Sequence, residues 1–125
     1  MRTICIVDDD DAVRDSLRAL LESHRMRVHE FSSGTAVLSS ELLNGIDCFI
    51  LDYQMPGMNG LELVEALRLR GIDSAAIIVS ALGVSGAAER MQRAGVIAAL
   101  MKPVAETELM GWIRRAIEPG SATRH

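Results

Sequence analysis

The chain has 125 residues and a mass of 13.6 kDa, enough for one domain with a buried core and too little for a second. Hydrophobic residues make up 49% of it and aromatics only 3%, so Ile, Val, Leu, Met and Ala must fill the interior, as they do where helices pack on a parallel sheet. Thirteen basic against seventeen acidic residues leave a net charge of −4, which disfavours direct binding to a nucleic-acid backbone.

The first apolar run covers residues 3–7 and ends in Asp8-Asp9-Asp10-Asp11. An amphipathic segment follows, with Val13, Leu17, Leu20 and Leu21 inward and Arg14, Asp15, Arg18 and Glu22 outward, which predicts a first helix. Residues 26–30 read as a second strand, and residues 34–43 as a weaker second helix. A third run, residues 48–51, ends in Asp52 and leads through the turn residues Pro56-Gly57 and Asn59-Gly60 to a helix with Leu63, Val64 and Leu67 on one stripe. Residues 77–79 form a fourth run ending in Ser80. The fourth helix, residues 87–94, has little apolar bulk, and Gly83 and Gly86 before it and Gly95 after it are expected to loosen both its ends. A last strand, residues 98–101, ends in Lys102-Pro103. The final helix puts Leu109, Ile113, Ala116 and Ile117 inward, with Glu106 and Glu108 in its first turn and Arg114 and Arg115 in its last, matching the macrodipole. Pro119-Gly120 should stop it, so residues 1–118 are expected to form the domain and residues 119–125 a short disordered tail.

Strands recurring about every two dozen residues between helices predict an α/β three-layer sandwich, a doubly wound five-stranded parallel sheet with five helices. The first, third and fourth runs are apolar along their length instead of alternating, so they should be the central strands. No apolar run approaches a membrane span, and the first run enters an acidic cluster instead of a signal-peptide cleavage site. The expectation is a soluble, cytoplasmic protein. Cys5 and Cys48 sit inside apolar runs and are read as small hydrophobes, not as a disulfide.

In such sheets the ligand site lies beyond the carboxyl ends of the strands. The polar residues fit that rule: the aspartates follow strand one, Asp52 strand three, Ser80 strand four and Lys102 strand five. Crowded carboxylates repel one another and are best stabilised by a hard divalent cation with oxygen ligands, for which Mg2+ is suited. Lys102 supplies a movable charge that can pair with a carboxylate at rest and with a phosphoryl oxygen later, and Ser80 adds a hydroxyl donor. Asp10 and Asp11 read as the helix N-terminus, one of them capping it.

The ordered set Val7-Asp8-Asp9, Leu51-Asp52-Tyr53-Gln54-Met55-Pro56-Gly57-Met58-Asn59-Gly60, Ser80-Ala81 and Lys102-Pro103 resembles the receiver domain of two-component response regulators, over residues 3 to about 118. Val13-Arg14 with Ser16-Leu17 resembles most closely the nitrogen-fixation-type regulators. The resemblance implies a flavodoxin-like strand order 2-1-3-4-5. It implies that Asp52 takes a phosphoryl group from a phosphohistidine on a sensor histidine kinase or phosphotransfer protein. In that family Asp9 would bind Mg2+ directly, Asp8 through water, Asp52 through its carboxylate and Gln54 through its backbone carbonyl, while Lys102 and Ser80 neutralise and contact the phosphoryl oxygens. Such domains catalyse their own phosphorylation and dephosphorylation, and their Lys-Pro bond is usually cis. Relatives carry Tyr or Phe three residues before the lysine, where this chain has Ala99. Ser80 must then communicate through the loop at residues 81–86 or other packing, and the face of helix four, strand five and helix five is expected to carry the partner contact, a homodimer among the possibilities.

Other readings fit less well. A haloacid-dehalogenase-type phosphatase needs a second Asp where Gln54 stands, and a dinucleotide binder needs glycines where four aspartates would repel phosphate. An EF-hand fails for lack of the Gly and Glu at loop spacing. The rival that remains is a receiver-like interaction module that signals without phosphorylation. His24, His29 and His125 lack a ligand spacing and read as surface residues, Trp112 as core filler or partner surface, and Met55, Met58, Met91, Met101 and Met110 as gap fillers.

Overall fold

A computed structural model describes residues 1–84 and 86–117; the stop at Pro119-Gly120, the tail and His125 lie outside them. The apolar runs fold as β1 Thr3–Val7, β2 Arg27–Phe31, β3 Cys48–Asp52, β4 Ala75–Ser80 and β5 Val96–Met101. All pair in parallel, in the order β2-β1-β3-β4-β5. The connections are α1 Asp11–Ser23, α2 Gly34–Leu38, α3 Gly60–Leu69, α4 Ala88–Ala94 and α5 Glu106–Ile117.

Strands β1 and β3 are buried at every position, and β4 at all but its first, because helices cover both faces. Alternate residues feed two cores. Cys5, Val7, Phe49, Leu51 and Ile78 pack with Val37 of α2, Leu63, Val64 and Leu67 of α3 and Met91 of α4. Ile4, Ile6, Ile50, Ile77 and Val79 pack with Leu21 of α1 and Leu109, Met110 and Ile113 of α5. Each fully buried Leu, Ile or Phe contributes roughly 1.5–3 kcal/mol.

Local chemistry sets the element boundaries. Asp10 caps α1, accepting from the Ala12 and Val13 amides at 2.9 and 3.2 Å. Asn59 and Glu62 close a capping box at the start of α3. The second helix is shorter than residues 34–43. It stops at Leu38 because Ser39 Oγ turns back onto the Thr35 carbonyl and Ser40 Oγ takes the Leu42 amide, after which Leu43–Gly45 form a 3₁₀ turn. Strand β2 begins at Arg27, since the Met26 amide closes α1 by bonding the Leu21 carbonyl. Strands β4 and β5 start earlier than read, because their alanines and Val96 join the ladder.

Arg14 and Arg18, expected to point outward, lean instead across β2, where both guanidinium groups bond Glu30. Met101 is 60% exposed and fills no gap, whereas Met55, Met91 and Met110 do. Cys5 and Cys48 are free, belong to opposite cores, and burial pushes both thiols up to about 12. Trp112 packs against the α1–α5 core with Arg115 stacked on its ring at 4.7 Å. His24 meets Glu106 at 3.2 Å. Among the described residues no helix is long and apolar enough to cross a membrane.

Candidate functional site

The register of a parallel sheet decides which strand ends meet. Val7 lies opposite Leu51, so the next residues, Asp8 and Asp52, come side by side. Asp52 lies opposite Val79, placing Ser80 one step beyond it, and Ser80 lies opposite Met101, placing Lys102 next. The Lys102 amide then donates to the Ser80 carbonyl at 2.9 Å. The Lys102-Pro103 bond is cis.

Asp8, Asp52 and Ser80 are buried, at 1%, 5% and 2% exposure, whereas Asp9 is exposed. One carboxylate oxygen from each of Asp8, Asp9 and Asp52 lies within 4.8 Å of the others. Lys102 Nζ donates to Asp8 Oδ2 at 3.0 Å and stands 3.4 Å from Asp52 Oδ1. The second distance is that of an ion pair, and Asp52 Oδ1 has no hydrogen-bond partner among the described residues. Asp8 is held from both ends: its Oδ1 accepts the Asp10 amide at 2.9 Å, and its carbonyl accepts from Arg14 at 2.6 Å.

The electrostatics follow from this crowding. Burial, reinforced by the charge of Asp8, pushes the Asp52 carboxyl above the ordinary carboxylate range, and Lys102 offsets only part of that. Burial opposes the Lys102 ammonium too, but the hydrogen bond and charge of Asp8, then the charge of Asp52, hold it above the usual lysine value. The site thus keeps a buried carboxylate beside two other acids. That donor set is all hard oxygen, and the mutual repulsion, together with a buried oxygen left without a hydrogen bond, is what a divalent cation would relieve.

All the side chains that the sequence singled out therefore converge, apart from Gln54, which was assigned its backbone carbonyl alone. Its side chain is engaged as well: Ser80 Oγ donates to Gln54 Oε1 at 2.9 Å. Two further residues shape the site without a signal that assigns them. Arg14 read as a surface position, yet it braces the Asp8 carbonyl. Gly60 read as turn chemistry, yet a Cβ there would meet the Asp52 carbonyl oxygen at 2.6 Å, so only glycine lets α3 start this close to the end of β3.

Residues 4–114 match the family model described as the response regulator receiver domain. The chain is 34% identical to the transcriptional regulatory protein FixJ of Azorhizobium caulinodans, over 90% of this chain and 53% of that protein. It is 39% identical to the response regulator protein TmoT of Ectopseudomonas mendocina, over 92% of this chain and 52% of that protein. The chain thus spans about half the length of these curated relatives. The crystal structure of a CheY-like response regulator receiver domain protein from Methanospirillum hungatei JF-1 superposes with a TM-score of 0.86 at 27% identity, covering 99% of each chain. With the strand order, the acidic strand ends and the lysine all in place, the chain belongs to the response regulator receiver domain family.

Proposed function

We propose that Asp52 is the phosphoryl acceptor of this receiver, served by Mg2+ and supplied by a phosphohistidine on a sensor histidine kinase or phosphotransfer protein. The observation that carries it is the convergence of Asp8, Asp9 and Asp52 within 4.8 Å beside Lys102. Asp9, Asp52 and the Gln54 backbone carbonyl would hold the cation, with Asp8 reaching it through water. Bound there, Mg2+ supplies positive charge to the phosphoryl oxygens and to the carboxylates.

An Asp52 carboxylate oxygen attacks phosphorus, the bond from phosphorus to the donor nitrogen breaks, and its electron pair leaves on the imidazole. Lys102 follows the charge from Asp8 and Asp52 to a phosphoryl oxygen, and Ser80 donates to another. Water later cleaves the acyl phosphate, restoring the carboxylate and releasing inorganic phosphate. The donor has access from one side. An apolar hollow of about 480 Å3, lined by Ala12, Val13, Leu17, Pro103 and Val104, opens between α1 and the loop after Lys102. The face of α4, β5 and α5 is left to carry the signal, to an output domain or a second copy. A module that signals without phosphorylation would have no use for three crowded acids at this cost in repulsion.

Acetyl phosphate with Mg2+ should add one phosphoryl group to the wild type and none to Asp52→Asn, read by mass spectrometry. Undiminished labelling of the variant would remove Asp52 from the role. Titration calorimetry should show Mg2+ binding lost in Asp9→Ala.

A further inference from the structure

Ser80 is fully engaged at rest. Its hydroxyl hydrogen has two acceptors in reach, Gln54 Oε1 at 2.9 Å and the Gly83 carbonyl at 3.0 Å, and its oxygen accepts the Leu82 amide at 3.2 Å. A hydroxyl has one hydrogen to give. Donation to an oxygen on Asp52 therefore has to displace both resting acceptors.

The two acceptors differ in what leaving them entails. Gly83 belongs to the loop that follows Ser80 and can travel with it, its positive φ of 81° shared by Gly86 at 82°. Gln54 sits on the other side of the exchange, two residues after Asp52. Its loop runs into α3, whose start is fixed by the Asn59–Glu62 capping box and by the Gly60 amide, which donates to the Tyr53 carbonyl at 3.1 Å. Gln54 is nonetheless an exposed residue, so its carboxamide returns to water when Ser80 departs and leaves no buried polar atom unpaired. Such a bond holds the resting arrangement and releases at small cost.

We infer that the Gln54 side chain is a positioning residue for the Asp52 reaction, a latch that holds the Ser80 hydroxyl in its resting place and sets how readily Ser80 engages a phosphoryl group. The latch rests on Asp52 being the acceptor. Gln54 acts through Ser80, and its side chain needs no contact with the phosphoryl group itself.

A double-mutant cycle with beryllofluoride and Mg2+, read by titration calorimetry, tests it. With Ser80 intact, Gln54→Leu keeps most of the bulk and removes the acceptor. It tightens beryllofluoride binding by about two- to tenfold, the ratio one net hydrogen bond sets. Gln54→Met gives the same gain. In the Ser80→Ala background the gain disappears, and in the resting Gln54→Leu protein the amide resonance of Leu82, the donor to Ser80 Oγ, moves. An equal gain in both backgrounds, or none with Ser80 present, overturns the latch. A wild type that binds no beryllofluoride overturns the acceptor reading, and the latch falls with it.

Discussion

Replacing Asp52 by Asn should make the metal-free protein more stable. The carboxylate oxygens of the cluster lie within 4.8 Å of one another, and at an effective dielectric of about 20 two unit charges that far apart repel by roughly 3.5 kcal/mol. Lys102, 3.4 Å from Asp52, returns roughly 5 kcal/mol on the same scale. Burial of the ionised group outweighs what remains, and the net result is the raised Asp52 pKa. The neutral isostere escapes that penalty, so Asp52→Asn should gain stability at neutral pH, read as a rise in Tm. The penalty belongs to the ionised form. It is full above the raised pKa, shrinks as pH falls through it, and vanishes below the ordinary carboxylate value. Mg2+ bound as proposed would act in the opposite sense, because a ligand at ten times its Kd stabilises by about 1.4 kcal/mol and the wild type alone has the full carboxylate set. Urea and thermal denaturation followed by circular dichroism, in EDTA and in Mg2+, decide the matter. An Asn variant less stable than wild type in EDTA, or an equal response of both proteins to Mg2+, would refute the electrostatic account.

Gly60→Ala should lose about 1–3 kcal/mol and label more slowly with acetyl phosphate, since its Cβ meets backbone at 2.6 Å; Gly111→Ala, in α5 with open space around it, should instead gain about 0.5–1 kcal/mol, and melting the two side by side checks both. Hydrogen bonds from Arg18 and Arg14, set against modest desolvation, hold Glu30 below the ordinary carboxylate range, so its contribution is present above the unfolded pKa and lost as pH falls through the folded one. Glu30→Gln should therefore flatten the acid limb of a stability-against-pH curve, and an unchanged limb would count against it. Beryllofluoride with Mg2+ should drive a concentration-dependent dimer in sedimentation, weakened by Met101→Glu at the exposed end of β5; a protein monomeric at every concentration would contradict this.

The sheet edge was legible because a parallel sheet turns sequence into position. Once the apolar runs are strands, every residue that follows a strand stands at the same edge, and Asp8, Asp52, Ser80 and Lys102 needed no further information. The contacts that escaped reading join different loops, or join a helix to a loop. Gln54 to Ser80, Arg14 to the Asp8 carbonyl and Gly60 to the Asp52 carbonyl depend on how loops converge in space, and no periodicity records that. The second helix failed for a local reason, since residues 34–43 carry helical spacing while Ser39 and Ser40 offer the backbone competing partners.

The fourth helix shows how a correct local observation can mislead. Glycines on both sides suggested two loose ends, and Gly95 does take the left-handed conformation at the helix C-terminus. Yet that end is clamped. Arg68 of α3 donates to the Ala94 carbonyl at 2.7 Å and the Gly95 carbonyl at 3.4 Å, and its other contacts run to the Ile72 and Ser74 carbonyls at 2.9 and 2.8 Å. The first turn is tied at the surface, by an exposed bidentate pair between Arg90 and Glu65 of α3. That end begins at Ala87 with no side-chain cap. Beside it lies an apolar hollow of about 260 Å3 lined by Val84, Ala88, Met91, Val96 and Ala99. A displacement of Ser80 thus meets less resistance toward the first turn of α4, where the hollow gives room and the exposed Arg90–Glu65 pair contributes little, than at the far end, which the Arg68 clamp holds. With Ala99 there is no ring to rotate on β5, and the helix itself becomes the softest element through which the site can act on that face.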